Sequence, residues 1–375
     1  MIDKLIVEAP INPLSLGNVS YNILKILRQK EIKVLYCPIG NIDLSCYKVD
    51  EDFKSWLQSA AQNFLKSFNR DVPTWKIWHI NGSHQFPSNR RYLLTFHESD
   101  SGTPEEINVI KNTNKTFFCG EYSKHIFEEY GLTNIDWFPL GMDNESYYKI
   151  TKNKYEDNRI NWFLGGKFEN RKNTARLLKI WAKKFGLTPG QPWISGKQHF
   201  LNCAITNPFF QNDQMRLHFQ QQIHEALEGK RYYNIQFFEH LRTNAEYNNL
   251  LNESHIDITG MSSAESWNLP AFQITALGGW SIVLNATGHK SWANEKNSIL
   301  VNPSSKRSII DNIFFIPNTP FSQGNCFDFN DEDLLIAMDK AAQIAHTPNI
   351  EGEKLKEEFT YCKLVDKIIE ATEQN

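Results

Sequence analysis

Two stretches of this chain carry residue types that could do chemistry on a phosphorylated ligand. The first is Gly165-Gly166-Lys167-Phe-Glu-Asn-Arg171-Lys172-Asn173, which follows an apolar run, Ile160 to Leu164, and leads into a helical pattern. Glycines let backbone amides approach a ligand, cations neutralise it, and a helix start adds partial positive charge, so this turn suits an anion such as a diphosphate. It is equally readable as a basic surface turn. The second stretch runs from Ser262 through Glu265, Trp267, Asn268, Leu269 and Pro270 to Gln273. A carboxylate in a polar loop is followed by a helix that opens near Leu269-Pro270, where proline suits a first turn. Glu265 and Gln273 lie eight residues apart, so one can reach a sugar while the other meets a nucleoside ribose.

Other chemistries lack their motifs. No G-x-G-x-x-G follows the first strand, no P-loop occurs, and no H-E-x-x-H or Cys/His cluster has metal-ligand spacing. The acidic triplets Asp50-Glu51-Asp52 and Asp331-Glu332-Asp333 stand at expected helix starts, where carboxylates cap free N–H groups. They read as caps rather than as cation ligands.

The elements that must position these residues alternate between short apolar strands and amphipathic helices, the pattern of parallel α/β layers. Strands are expected at Leu5–Val7, Ile32–Tyr36, Lys76–Ile80, Tyr92–Phe96 and Thr116–Cys119, with Ala9 to Asn18 as a loop and a helix over 19–29. The charged stretch Thr151 to Arg159 reads as a linker. Beyond it strands are expected at Ile160–Leu164, Pro192–Ile194, Ile235–Phe238, Ile256–Ile258, Ser281–Leu284 and Ser298–Val301. Helices are expected over 173–185, 244–251, 269–277, 331–345 and 353–373, and in the second half of the polar segment 197–230. The division is 1–150 for a first Rossmann-like lobe on the acceptor side, 151–350 for a second on the donor side, and 351–375 for a final helical segment that can pack back on the first. Residues 51–69 show one apolar face with Trp56 and Phe64. That face suits packing on the sheet, and at most a peripheral membrane contact.

Composition agrees. The 375 residues carry 40 Lys+Arg against 43 Asp+Glu, which excludes a protein that grips its partner by bulk positive charge. No apolar run approaches the ~20 residues of a membrane span, the first residues do not read as a signal peptide, and six scattered cysteines suggest a reducing cytosol.

Taken in order, Gly17, Thr95-Phe-His97, Gly120-Glu121, Phe138-Pro-Leu-Gly-Met-Asp143, the Gly165–Lys172 turn, Glu265-Ser-Trp-Asn-Leu-Pro270 with Gln273, Ala276-Leu-Gly-Gly279 and Asn297–Pro303 form a set that spans nearly the whole chain. This set resembles retaining GT-B glycosyltransferases of the GT4 type. The resemblance implies two Rossmann-like lobes facing a cleft, a nucleotide-sugar donor such as a UDP- or GDP-sugar as substrate, and no cofactor and no metal. It implies that Lys172 pairs with the donor phosphates, with Gly166, Lys167 and Arg171 beside it. Glu265 would contact the transferred sugar and His97 would steady the reaction centre. Gly17 would let a loop close on the diphosphate, and Trp267, Asn268 and Leu269 would line the donor site.

The chain departs from that pattern at three places. Gln273 stands where the second acid of E-x7-E is usual, Gly166 where an arginine is usual, and Ser266-Trp267-Asn268 where E-G-F-G continues. Rival readings are a catalytically inactive sugar-nucleotide binder, a phosphorylase of the same architecture, and a glycosyltransferase acting on a nucleic-acid base. The last is disfavoured because residues 1–150 hold 16 Lys+Arg against 18 Asp+Glu. The acceptor is not named by the sequence.

Overall fold

The computed structural model describes residues 3–150, 154–155, 158–191, 198–210, 212–238 and 241–374. Parts of the linker 151–159 and the strand expected at 192–194 lie outside these residues.

The first six strands are β1 (Lys4–Ala9), β2 (Lys33–Pro38), β3 (Thr74–Ile77), β4 (Arg91–Thr95), β5 (Lys115–Phe118) and β6 (Ile135–Trp137). They form one parallel sheet in the order β2-β1-β3-β4-β5-β6. The next six, β7 (Arg159–Gly165), β8 (Gln198–Ala204), β9 (Ile235–Phe237), β10 (Ile256–Asp257), β11 (Trp280–Leu284) and β12 (Ser298–Val301), form a second in the order β12-β11-β10-β7-β8-β9, again with every pair parallel. β13 (Ser305–Ser308) and β14 (Asn325–Asp328) make an antiparallel hairpin apart from both.

Parallel strands are buried on both faces, so they read as continuous apolar runs. Leu5, Ile6 and Val7 of β1, and Trp162, Phe163 and Leu164 of β7, are all fully buried. Helix starts are set locally. Asp50 Oδ1 accepts from the Phe53 amide at 2.6 Å, and the Thr103–Glu106 and Thr243–Glu246 pairs close reciprocal capping boxes. Asp331, Glu332 and Asp333 fill a first helical turn, and Asp331 also pairs with Arg176 at 2.6 Å. Both acidic triplets thus sit at helix starts, as their spacing suggests.

Several elements differ from the sequence reading, among them the unexpected helices Pro104–Lys111 and Glu121–Glu128 and the strand β6. The first helix begins at Ser15, not 19, so Gly17 lies in a helical turn rather than in a loop. β8 was not expected, because Gln198-His-Phe-Leu-Asn-Cys-Ala mixes polar residues into its sequence. The β13–β14 hairpin is short and polar on its outer face, and gives no periodic signal. The closing helix is broken into Ile350–Glu353, Leu355–Glu358 and Tyr361–Glu373, where Thr360 caps the last piece through the Lys363 amide.

That last piece packs on the first lobe. Trp75 Nε1 donates to Thr372 Oγ1 at 2.8 Å and Arg90 donates to the Thr372 carbonyl at 2.8 Å. One apolar cluster runs through both lobes, joining Trp75, Phe117 and Phe138 of the first to Phe163, Trp267 and Phe272 of the second by way of Phe359 and Tyr361.

Candidate active site

The carboxyl ends of both sheets face each other, so the loops that follow β3, β4, β7, β10 and β11 share one cleft, the usual ligand position in open parallel sheets. After β7 the chain turns at Gly166, whose φ of 93° favours glycine and whose amide donates to the Ala204 carbonyl. A single 3-10 turn, Asn170–Lys172, then brings Arg171 and Lys172 inward, and Asn173 takes a left-handed conformation to start the helix Thr174–Phe185.

After β10 the loop 258–268 carries Glu265, fixed by its own backbone: its amide donates to Thr287 Oγ1 at 3.2 Å, and its carbonyl accepts from the Gly288 amide at 2.8 Å. Asn268, at φ 67°, caps the helix Leu269–Ala276. Its Nδ2 donates to the Thr259 carbonyl at 3.1 Å and to His289 Nε2 at 3.0 Å. The other ring nitrogen, Nδ1, lies 3.0 Å from the Leu284 carbonyl, so the neutral tautomer with its proton on Nδ1 satisfies both contacts. Burial, outweighing the nearby Glu265 charge, pushes His289 down to about 4.

These loops assemble three cations and three carboxylates. The Lys172 ammonium is hydrogen-bonded to Glu265 Oε1. Arg171 lies 3.3 Å from the same oxygen, 2.9 Å from Glu169 Oε2 and 3.1 Å from Glu98 Oε1, and it donates to the Ala264 carbonyl at 2.6 Å. Lys167 pairs with Glu169 Oε1 at 2.8 Å, its ammonium above the rings of Phe209 and Phe314 at 5.2 and 4.7 Å. Arg171, Lys172, Glu169 and Glu265 are buried. Burial raises the affinity of Glu265 and Glu169 for protons, but Lys172 and Arg171 at Glu265, and Arg171 and Lys167 at Glu169, outweigh it and hold both carboxyls below the usual range. Glu98 goes the other way: burial outweighs Arg171, and the carboxyl is pushed up. His79, after β3, is exposed at the cleft, and the charges of Lys167 and Arg171 lower its proton affinity.

The residues singled out by sequence fall into two groups. Gly166, Lys167, Arg171, Lys172, Glu265 and Asn268 come together. Leu269 is the first residue of the helix that Asn268 caps. The other four are used elsewhere. Gly17 abuts Asn12 so closely that any side chain would overlap it, which makes it a packing position of the first helical turn. The His97 ring packs edge-on against Phe127 at 4.8 Å, and Nε2 contacts Ser99 Oγ at 3.2 Å. Burial lowers its proton affinity. Trp267 lies in the shared core against Phe272 and Phe359. Gln273 is buried with its amide, like that of Asn18, facing the Tyr147 phenol.

Sequence reasoning missed Glu98, Glu169, His79 and His289. Glu98 adjoins His97 at a strand end, and Glu169 lies within the basic turn, so position alone could have flagged both. Arg90 and Arg91, a basic pair at the start of β4, are engaged internally: Arg90 donates to the Thr372 carbonyl and Arg91 to the Asn112 carbonyl. Among the described residues no group of three His, Cys, Asp or Glu could hold a metal ion, and no helix is long and apolar enough to cross a membrane. A concavity of about 590 Å³ lies at the opposite end of the second lobe, lined by Lys183, Gly186, Glu228 and Tyr232, none of them in the network.

No family profile matches the sequence, and no curated protein matches it. Solved structures do match. A sucrose-phosphate synthase from Thermosynechococcus elongatus superposes with a TM-score of 0.66 at 12% identity, over 99% of this chain and 98% of that one. Anabaena HepE in complex with UDP-glucose gives 0.65 at 14%, over 99% and 100%. A trehalose-6-phosphate synthase, OtsA, gives 0.64 at 12%, over 99% of each. The chain has the GT-B fold, two parallel six-stranded sheets with flanking helices.

Proposed function

We propose that this chain is a glycosyltransferase that takes a sugar from a nucleotide-sugar. The single observation that carries the reading is the Lys172–Glu265 pair, buried at the carboxyl ends of β7 and β10 beside Arg171 and Lys167. A pyrophosphate leaving group needs cations, and a transferred sugar needs a carboxylate for its hydroxyls. This pair places both within one bond of each other. The full-length likeness to a synthase fold and to a chain seen with UDP-glucose supports the same reading.

In this reading the donor diphosphate binds beside Lys172, Arg171 and Lys167, and Glu265 faces the sugar. The bond from the anomeric carbon to the phosphate oxygen breaks, and negative charge grows on the leaving diphosphate. One donor aimed at such charge is typically worth ~3–4 kcal/mol of barrier. The acceptor hydroxyl forms the new bond, and its proton passes to the departing phosphate, so the anomeric configuration is retained without a protein base or a metal. His97, packed among phenylalanines, supports the backbone of the cleft rather than the sugar. The acceptor binds on the side of the first lobe.

The test is a panel of UDP-, GDP- and ADP-sugars offered to the chain, with thermal shift for binding and nuclear magnetic resonance for released nucleotide and product anomer. A shift with one nucleotide and a product of unchanged anomeric configuration is expected. No shift with any of them rejects the donor site, and an inverted product rejects the mechanism.

A further inference from the structure

The cleft network carries a surplus of anions for a phosphate site. Lys167, Arg171 and Lys172 would attract a diphosphate, yet each already has a carboxylate: Glu169 on Lys167, Glu265 on Lys172, and Glu98, Glu169 and Glu265 on Arg171. Formal charge across the six groups is nil, so a diphosphate entering beside them gains little net attraction. Two of the carboxylates are tied into the second lobe. Glu169 belongs to the turn that carries the cations, and Glu265 is held through its backbone by Thr287 and Gly288. Glu98 alone comes from the first lobe, crosses the cleft to Arg171 at 3.1 Å, and is the most exposed of the three at 20%. It is the carboxylate that can leave without unfolding the loop that bears the cations.

We propose that Glu98 is the resident counter-anion of the cleft: it holds Arg171 while the cleft is empty, and a nucleoside diphosphate binds by taking its place, Glu98 then picking up a proton from solvent. This deepens the nucleotide-sugar reading and rests on it. Glu98 acts through Arg171 and is a positioning residue. The charged groups facing it are Arg171 and Lys167, which favour its anion, and Glu265 and Glu169, which oppose it. Burial already favours its neutral form, and an arriving diphosphate adds negative charge to the same side of the balance. Proton uptake therefore accompanies binding at pH values above the range of the free carboxyl, and affinity falls as pH rises through that window, by up to about tenfold per unit for one linked proton.

The experiment is calorimetric titration of UDP, GDP and ADP into the native chain, Glu98→Gln and Asp100→Asn. It runs from pH 6 to 8.5, in two buffers of different protonation heat. The terminal phosphate of the nucleotide also titrates near pH ~6, so the quantity read is the difference between native and variant. Glu98→Gln keeps shape and neutral hydrogen bonding while deleting the anion. Asp100→Asn loosens another lobe-to-lobe ion pair, to Lys306 at 2.7 Å, outside the network. The expected result is that the native chain takes up more protons than Glu98→Gln, that Glu98→Gln binds about tenfold tighter at pH 8, and that Asp100→Asn matches the native chain. Equal affinity and equal proton counts for native and Glu98→Gln overturn the proposal and leave the donor site standing. Tighter binding by Asp100→Asn as well would make Glu98 a mere lobe latch and also overturn it. No binding by either native or Glu98→Gln removes the donor site itself, and the proposal with it.

Discussion

The Ser266 hydroxyl donates to the His97 carbonyl at 2.6 Å, across the cleft from one lobe to the other. Ser123 donates to the same carbonyl at 2.7 Å. The position next to Glu98 is thus held through its backbone by a loop of the opposite lobe, the one that carries Glu265. A motion that parts the lobes breaks the Ser266–His97 bond and separates the two carboxylates.

Removing the ammonium that faces Glu265 weakens nucleotide binding. Lys172→Ala is expected to raise the Kd for the nucleoside diphosphate about 10- to 100-fold, the ~1.5–3 kcal/mol of one charge-assisted bond. Calorimetry reads it, and an unchanged Kd rejects the phosphate turn.

Glu265→Gln separates binding from transfer. The nucleotide is expected to bind at least as well as to the native chain, because Lys172 loses a competing anion. Transfer is expected to fall at least ~100-fold, as when a group aimed at the transition state is removed. Retained turnover would show that the sugar is held elsewhere.

Asn268 holds a left-handed residue, a helix start and His289 at once. Asn268→Ala is expected to lower unfolding free energy by ~2–4 kcal/mol, from backbone strain plus lost bonds. Asn268→Gly, which accepts φ 67° freely, recovers part of that. Equal denaturation midpoints for the two variants would show that strain plays no part.

Gly120 packs where a Cβ would stand 2.6 Å from the Ser266 carbonyl oxygen. Gly120→Val is expected to wedge the lobes apart, lowering turnover while secondary structure measured by circular dichroism is kept. Native turnover in this variant would mean that the lobe contact is dispensable.

Acid weakens the fold through His289, fully buried and held near 4 against an ordinary value near 6.5. The unfolded chain binds its proton first, so stability is intact above pH ~6.5 and is lost as pH falls from there towards 4, at up to ~1.4 kcal/mol per unit. Melting curves at pH 7 and 5 should show a smaller drop for His289→Gln than for the native chain. Equal drops would remove His289 from the account.

Much of the fold is legible in the residues because buried parallel strands leave long apolar runs: Leu5–Val7, Tyr92–Leu94 and Ile160–Leu164 each mark a strand directly. The hairpin Ser305–Asp328 leaves no such run, since its pairing depends on contacts with Asp100 and Ser263 far away in sequence. At the site, the Gly165–Lys172 turn and Glu265 are visible as polar breaks after strands. The engagement of Arg171 with Glu98 is invisible, because local pattern carries no information on which distant carboxylate meets a cation across two lobes. The packing of Gly17 on Asn12 and of Trp267 on Phe272 and Phe359 is invisible for a related reason: local pattern does not say which distant residue a glycine or an aromatic meets.

The chain leaves the first sheet after β6 and returns at Phe359, where Met142 and Thr360 bridge, before Tyr361–Glu373 seals Trp75 and Arg90. A half that is begun first and completed last cannot finish folding on its own schedule. During synthesis Trp75 lacks this cover until Thr372, 297 residues further along the chain, has been built.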